Sequence, residues 1–218
     1  MFKMTKIKFA AVALTIMAIF AAQVELANAE EGVQLRGSSS VKWKFDDHYS
    51  LDLLQEYYAT ENFERFEKFK NAAGLSYYPA DWLRLGADYV IGFENEEDQW
   101  KLHHGPRFSG KLKFEESDFK FFNRLMVEYA PDRTEPWRLR DKIKIKYTGF
   151  EPVQPFLADE VFVSLTGNGF LKNRAYVGFT VPVLKGVELD TFYILETVAE
   201  EEVGHAHVLG IKVGYRFR

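Results

Sequence analysis

Cysteine is absent from the 218 residues, which excludes a disulfide framework and a lipid attached through an N-terminal cysteine. A basic balance is absent too: 28 Lys and Arg stand against 32 Asp and Glu, which argues against general affinity for nucleic acid. Pro/Ser-rich linkers and solenoid repeats are missing, so one folded domain is expected. Long apolar runs are missing with one exception, FAAVALTIMAIFAA at residues 9–22. After it no segment approaches the roughly 20 apolar residues that a spanning helix needs.

That run has the flanks of a secretory leader. Lys3, Lys6 and Lys8 precede it, and Ala27, Asn28 and Ala29 follow as a peptidase site. Residues 1–29 are therefore expected to be a cleaved signal peptide and residues 30–218 the exported domain. An uncleaved anchor is the alternative, but the run is short for it.

What is present is alternation. In PWRLRDKIKIKYTG, residues 136–149, the cations Arg138, Arg140, Lys142, Lys144 and Lys146 alternate with Leu139, Ile143, Ile145 and Tyr147. A period of two puts the two sets on opposite faces of a strand. WLRLGADYVIGF, RAYVGFTVPV and HVLGIKVGYRF repeat the pattern, each with a continuous apolar face and a face rich in glycine and charge. Candidate strands are 33–46, 48–60, 64–78, 82–94, 99–115, 118–130, 135–148, 153–165, 173–184, 187–199 and 205–217. Short connections such as YPAD and LKGV take turns with longer charged ones such as ENEEDQ and APDRTEP, the two-rim pattern of a bacterial outer-membrane barrel. Trp43, Tyr49, Tyr77, Tyr78, Trp82, Trp100, Trp137, Tyr147, Tyr215 and Phe217 fall near strand ends, where amphipathic rings would meet lipid headgroups.

Which face points outward follows from space. The large apolar side chains of about ten strands crowd the inside of a small cylinder, whereas its outer circumference is larger and a closed barrel leaves no edge unpaired. Such barrels in bacteria carry an even number of strands, and eleven candidates do not satisfy that. The expectation is a closed antiparallel transmembrane β-barrel of twelve strands, with RGSSS at 36–40 dividing the first segment in two. Ten follows if that segment is not wall.

The cations of 136–148 then line the lumen. Arg84, Arg107, Lys111, Lys113, Lys120 and Arg124 join them by the same alternation, with Glu128 as the main anion, and Arg174 lies on a later strand. Glu160, Glu188, Asp190 and Glu196 point inward from the other wall. Two readings follow: a small passage whose basic wall favours anionic solutes, or a non-conducting barrel plugged by its own ion pairs.

Chemistry is less legible. His103, His104, His205 and His207 fall near strand ends on the long-loop side, with Ser109 on the same strand as the first pair. An outer-leaflet lipid hydrolase could use a serine and a histidine, but no spacing demands it. His205 and His207 share a face near Glu200, Glu201 and Glu202 and could hold a metal, although a solvated acidic loop explains them equally. No cofactor or metal is expected. The partners expected are outer-membrane lipids and lipopolysaccharide, and the barrel-assembly machinery during insertion.

WRLRDKIKI, PFLADEVFV, NRAYVGF and HVLGIKVGYRF, in that order, resemble the C-terminal two-thirds of a family of uncharacterised bacterial outer-membrane proteins, the domain of unknown function numbered twenty-four-ninety. Matching positions are Arg138, Arg140, Glu160, Phe162, Arg174, Gly178, His207 and Gly210, with FNRLMVE around Arg124 a weaker match. The likeness spans about residues 118–217, and upstream only the strand rhythm agrees. It implies an outer-membrane β-barrel and supplies no activity. The chain departs at its end, where Phe217 is followed by Arg218, so the aromatic favoured at the last position stands one residue early.

Overall fold

The computed structural model describes residues 33–60, 65–96, 99–133, 135–167, 169–199 and 204–217. The leader expected at 1–29, Glu200 to Glu202 and Arg218 lie outside the described residues. Among the described residues every regular element is a strand: β1 Gln34–Lys44, β2 Tyr49–Thr60, β3 Arg65–Ala80, β4 Leu83–Glu96, β5 Gln99–Glu116, β6 Phe119–Tyr129, β7 Trp137–Tyr147, β8 Gln154–Ser164, β9 Phe170–Leu184, β10 Val187–Val198 and β11 Gly204–Phe217. Neighbours in sequence are neighbours in the wall, and the sheet closes on itself.

The closed barrel has eleven strands, not twelve or ten. The seam explains the odd number. β1 pairs with β11 in parallel, from Gln34↔Val208 to Trp43↔Phe217, while the other ten contacts are antiparallel. Parity binds only a wholly antiparallel barrel, because one parallel pair lets the first and last strands run the same way. RGSSS therefore does not divide the first segment: Arg36 to Ser40 run continuously inside β1.

Residue pattern sets the wall. Along β8, Phe156, Ala158, Glu160, Phe162 and Ser164 are buried, and Leu157 between them is largely exposed. The outer face is apolar, with Leu75, Phe108, Ile143, Leu157, Val177 and Val183 all exposed. Polar pairs interrupt it, Gln55 Nε2 donating to Asn71 at 3.2 Å among them. Asn123 Nδ2 donates to Asp141 at 2.6 Å, and Asn173 Nδ2 donates to both oxygens of Asp159 at 3.0 Å.

At the short-turn rim Phe217, Trp43, Phe45, Tyr49 and Tyr77 form a run of ring contacts, with Phe119, Tyr147 and Phe150 a second. Tyr129 and Trp137 meet at 4.7 Å by the long-loop rim. Tyr78 departs from this belt. Its hydroxyl accepts from Lys42 Nζ at 3.0 Å and meets Ser50 Oγ at 3.2 Å on the inner face.

Gly210 and Gly186 are among the glycines held by close approach. Gly210 faces Phe192 across the β10–β11 pair, and a Cβ there would run into the ring. Gly186, in the β9–β10 turn, has φ of +81° and no room for a Cβ beside the Arg216 carbonyl, so both conformation and space require glycine.

Candidate functional site: the charged interior

Ion pairs between strands that are not neighbours can only cross the inside of the barrel. Lys144 on β7 reaches Asp190 on β10 at 3.5 Å, and Arg124 on β6 reaches Glu160 on β8 at 2.6 Å. They put the charged face of each strand on the interior. That interior divides into two regions.

The first is a paired layer centred on Glu160. Its Oε1 accepts from Arg124 Nη2 at 2.6 Å and Arg140 Nη2 at 2.7 Å. Its Oε2 accepts from the Tyr176 hydroxyl at 2.7 Å, with Lys142 Nζ 3.5 Å away. The Glu160 side chain is only 1% exposed. A carboxylate so buried is tolerated because its lone pairs are filled and opposite charge surrounds it.

Arg140 is the hinge of the layer, donating also to Glu128 at 2.6 Å. Arg138 and Arg107 approach Glu128 at 3.4 and 3.8 Å, and Arg107 donates to Asp88 at 2.6 Å. Glu196 accepts from Arg174 and from Lys172, the latter at 3.2 Å, and Arg36 pairs with Glu56 at 2.5 Å. Aromatic faces cover the cations: Arg140 and Arg174 lie 4.7 and 5.1 Å from the Phe162 ring, and Lys142 lies 3.4 Å from that of Tyr176. The anionic wall is thus interleaved with cations, because β9 supplies Lys172 and Arg174 between the carboxylates of β8 and β10.

The second region lies toward the short turns, on the side of β1 to β6. Asp52 takes Arg84 at 2.6 Å, Lys42 at 3.4 Å and Ser76 Oγ at 2.5 Å. Among the described residues Lys111 has no such partner. Its strongest charged neighbours are Arg84, Lys212, Lys42 and Arg124, all cations, and its ammonium sits 4.9 Å from the Phe122 ring. Arg84 and Arg124 are 28% and 31% exposed, against 11% for Arg140. Nearer the rim Lys113 and Lys120 share Glu115 at 2.6 and 3.4 Å. Across the barrel Lys146 is buried beside Asp190 and the exposed Glu188, and Lys144 lies 3.5 Å from the Phe156 ring.

Several participants were not picked out from the sequence: Arg36, Lys42, Asp52, Glu56 and Lys212. The alternation in KWKF and LDLLQE was the available signal, but β1 had no settled place in the wall.

The histidines split by parity. His104 is outward, its Nδ1 2.6 Å from the Tyr89 hydroxyl, and His207 meets Tyr193 in the same way on β10 and β11. His205 Nδ1 lies 3.2 Å from Thr197 Oγ1. His103 is inward and donates from Nδ1 to Asp132. Burial alone would raise the Asp132 carboxyl, but its own backbone amide and His103 hold it below the usual aspartate range. Ser109 shares the inner face with His103 but stands six residues along β5, about 20 Å at strand rise. The described residues therefore bring no serine–histidine pair together at these positions.

The family DUF2490, described as a protein of unknown function, matches residues 34–203. The match begins at β1, well upstream of the sequence blocks that first suggested the likeness, and stops short of β11 with His207 and Gly210. No curated protein matches the chain.

Proposed function

The chain belongs to the DUF2490 family, and from that premise we propose that it is an outer-membrane barrel that binds small anions in a blind interior basin. The leader at residues 1–29 exports it, the short-turn rim faces the periplasm, and lipid covers the outer face. The exposed apolar girdle and the aromatic runs at the rims support that placement. Asp141 and Asp159 lie on this face, and each satisfies its carboxylate with an asparagine amide.

The observation that carries closure is Glu160. A carboxylate 1% exposed, held by three cations and a tyrosine, is a plug element rather than the wall of a water-filled channel. On the periplasmic side Lys111 faces only cations among its strongest charged neighbours, and an anion entering there would gain charge-assisted hydrogen bonds.

The test is planar-bilayer recording of the refolded mature chain, paired with calorimetric titration of inorganic phosphate. Silent bilayers together with saturable phosphate binding are expected. Steady current steps with anion preference would replace this reading by permeation, and neither current nor binding would leave a structural barrel.

A further inference from the structure

At the long-loop end of the interior a second kind of site is assembled. Glu94 and Glu96, two apart on β4, share a face, and His103 comes from the paired strand β5, opposite Gly92. One ligand atom from each lies within 4.8 Å of the others. His103 Nε2 is 3.4 Å from Glu96 Oε1 and 3.6 Å from Glu94 Oε2.

Those separations are long for an N–H···O hydrogen bond, which falls at 2.7–3.2 Å. They suit a shared ion, because donors about 2.0–2.1 Å from a tetrahedral metal stand about 3.3 Å from one another. The imidazole is set for that role. The Asp132 carboxylate can only accept, so the proton is on Nδ1 and Nε2 carries the lone pair on the side of the two glutamates' oxygens. Nε2 is buried and has no hydrogen-bond partner.

Lys68 and Arg133 pair with Glu94, and Lys101 pairs with Glu96.

We infer that Glu94, Glu96 and His103 form a binding site for a first-row divalent transition metal of the zinc class, with Asp132 fixing the histidine from behind. Nitrogen with carboxylate donors suits zinc better than magnesium or calcium, which prefer oxygen alone. Three protein donors leave a fourth position open to water or a ligand. The carboxylate behind the histidine follows the usual support of a metal-bound imidazole. Nothing in this site depends on the anion basin at the other end of the barrel.

The test is calorimetric titration of the refolded, metal-stripped full chain with Zn²⁺, repeated with Co²⁺ to read coordination from its visible absorption. One equivalent of Zn²⁺ and a tetrahedral or five-coordinate Co²⁺ spectrum are expected. His103→Asn and Glu96→Gln should each weaken binding at least tenfold, and Asp132→Asn by about 10–100-fold, whereas His205→Asn with His207→Asn should leave it unchanged. Glu96 is exposed at a strand end, so its variant keeps the fold, and circular dichroism checks each one. No stoichiometric uptake by the folded chain would overturn the assignment. So would uptake indifferent to His103→Asn or abolished by the His205 and His207 changes.

Discussion

The paired layer and the basin are built from the same residue types on the same strands, yet they do opposite things with charge. Around Glu160 every carboxylate oxygen has a cationic or hydroxyl donor, and Arg140 and Lys142 lie against the aromatic faces of Phe162 and Tyr176. Around Lys111 one carboxylate, that of Asp52, serves Lys42 and Arg84 together, and like charges face one another. The difference teaches that a count of lumenal charges does not decide between plug and passage. What decides is whether each cation has an anion within reach across the barrel.

The largest effect should come from breaking the layer at its centre. Glu160→Gln takes the counter-charge from Arg124 and Lys142 and leaves Arg140 with Glu128 alone, and a loss of about 3–5 kcal/mol is expected, read as a lower urea midpoint for the refolded barrel. If the variant unfolds where the parent does, the layer is not what holds the interior shut.

The second effect concerns binding. Replacing Lys111 and Arg84 together by methionine should weaken phosphate binding about tenfold or more in calorimetry, since each charge-assisted hydrogen bond contributes about 1.5–3 kcal/mol. Unchanged affinity would move the anion out of the basin.

A smaller effect tests the seam that both regions share. Trp43 and Phe217 stack at 6.3 Å across the parallel β1–β11 pair, and Trp43→Leu should cost about 0.5–1.5 kcal/mol beyond lost area. Hydrogen exchange should then rise first in β1 and β11. Exchange that rises elsewhere would mean the seam is not the weak point of the wall.

The smallest effect is expected from Lys113→Met at the open rim. Its pair with Glu115 is well exposed, and such pairs contribute about 0–1 kcal/mol. A loss as large as that of Glu160→Gln would erase the distinction between the two regions.

Much of the wall was legible because alternation is a local signal. All eleven candidate segments coincide with strands, although β9 begins at Phe170, a few residues before the predicted start. That edge was hidden because Phe170 to Lys172 read as loop, while in the barrel Lys172 finds Glu196. Tyr78 was misplaced for a related reason. Its neighbour Tyr77 holds the outer position, and the register with β2 turns Tyr78 toward Ser50 and Lys42.

The cluster of Glu94, Glu96 and His103 was invisible because no local spacing ties the histidine to the two glutamates. His103 meets Glu94 and Glu96 through strand pairing and Asp132 through the β6–β7 connection. The pair that spacing did suggest, His205 and His207, instead turns to Thr197 and Tyr193.

By itself the sequence determined the strands, the apolar and charged face of each, and the basic character of β7, because these depend only on residues two apart. The tertiary structure decided the rest. Closure through a parallel pair joins residues more than 170 positions apart, as in Gln34 with Val208, and no local pattern specifies such a register. Whether a given cation meets an anion, as Arg140 does, or another cation, as Lys111 does, was settled only when the wall curved round and brought distant strands face to face.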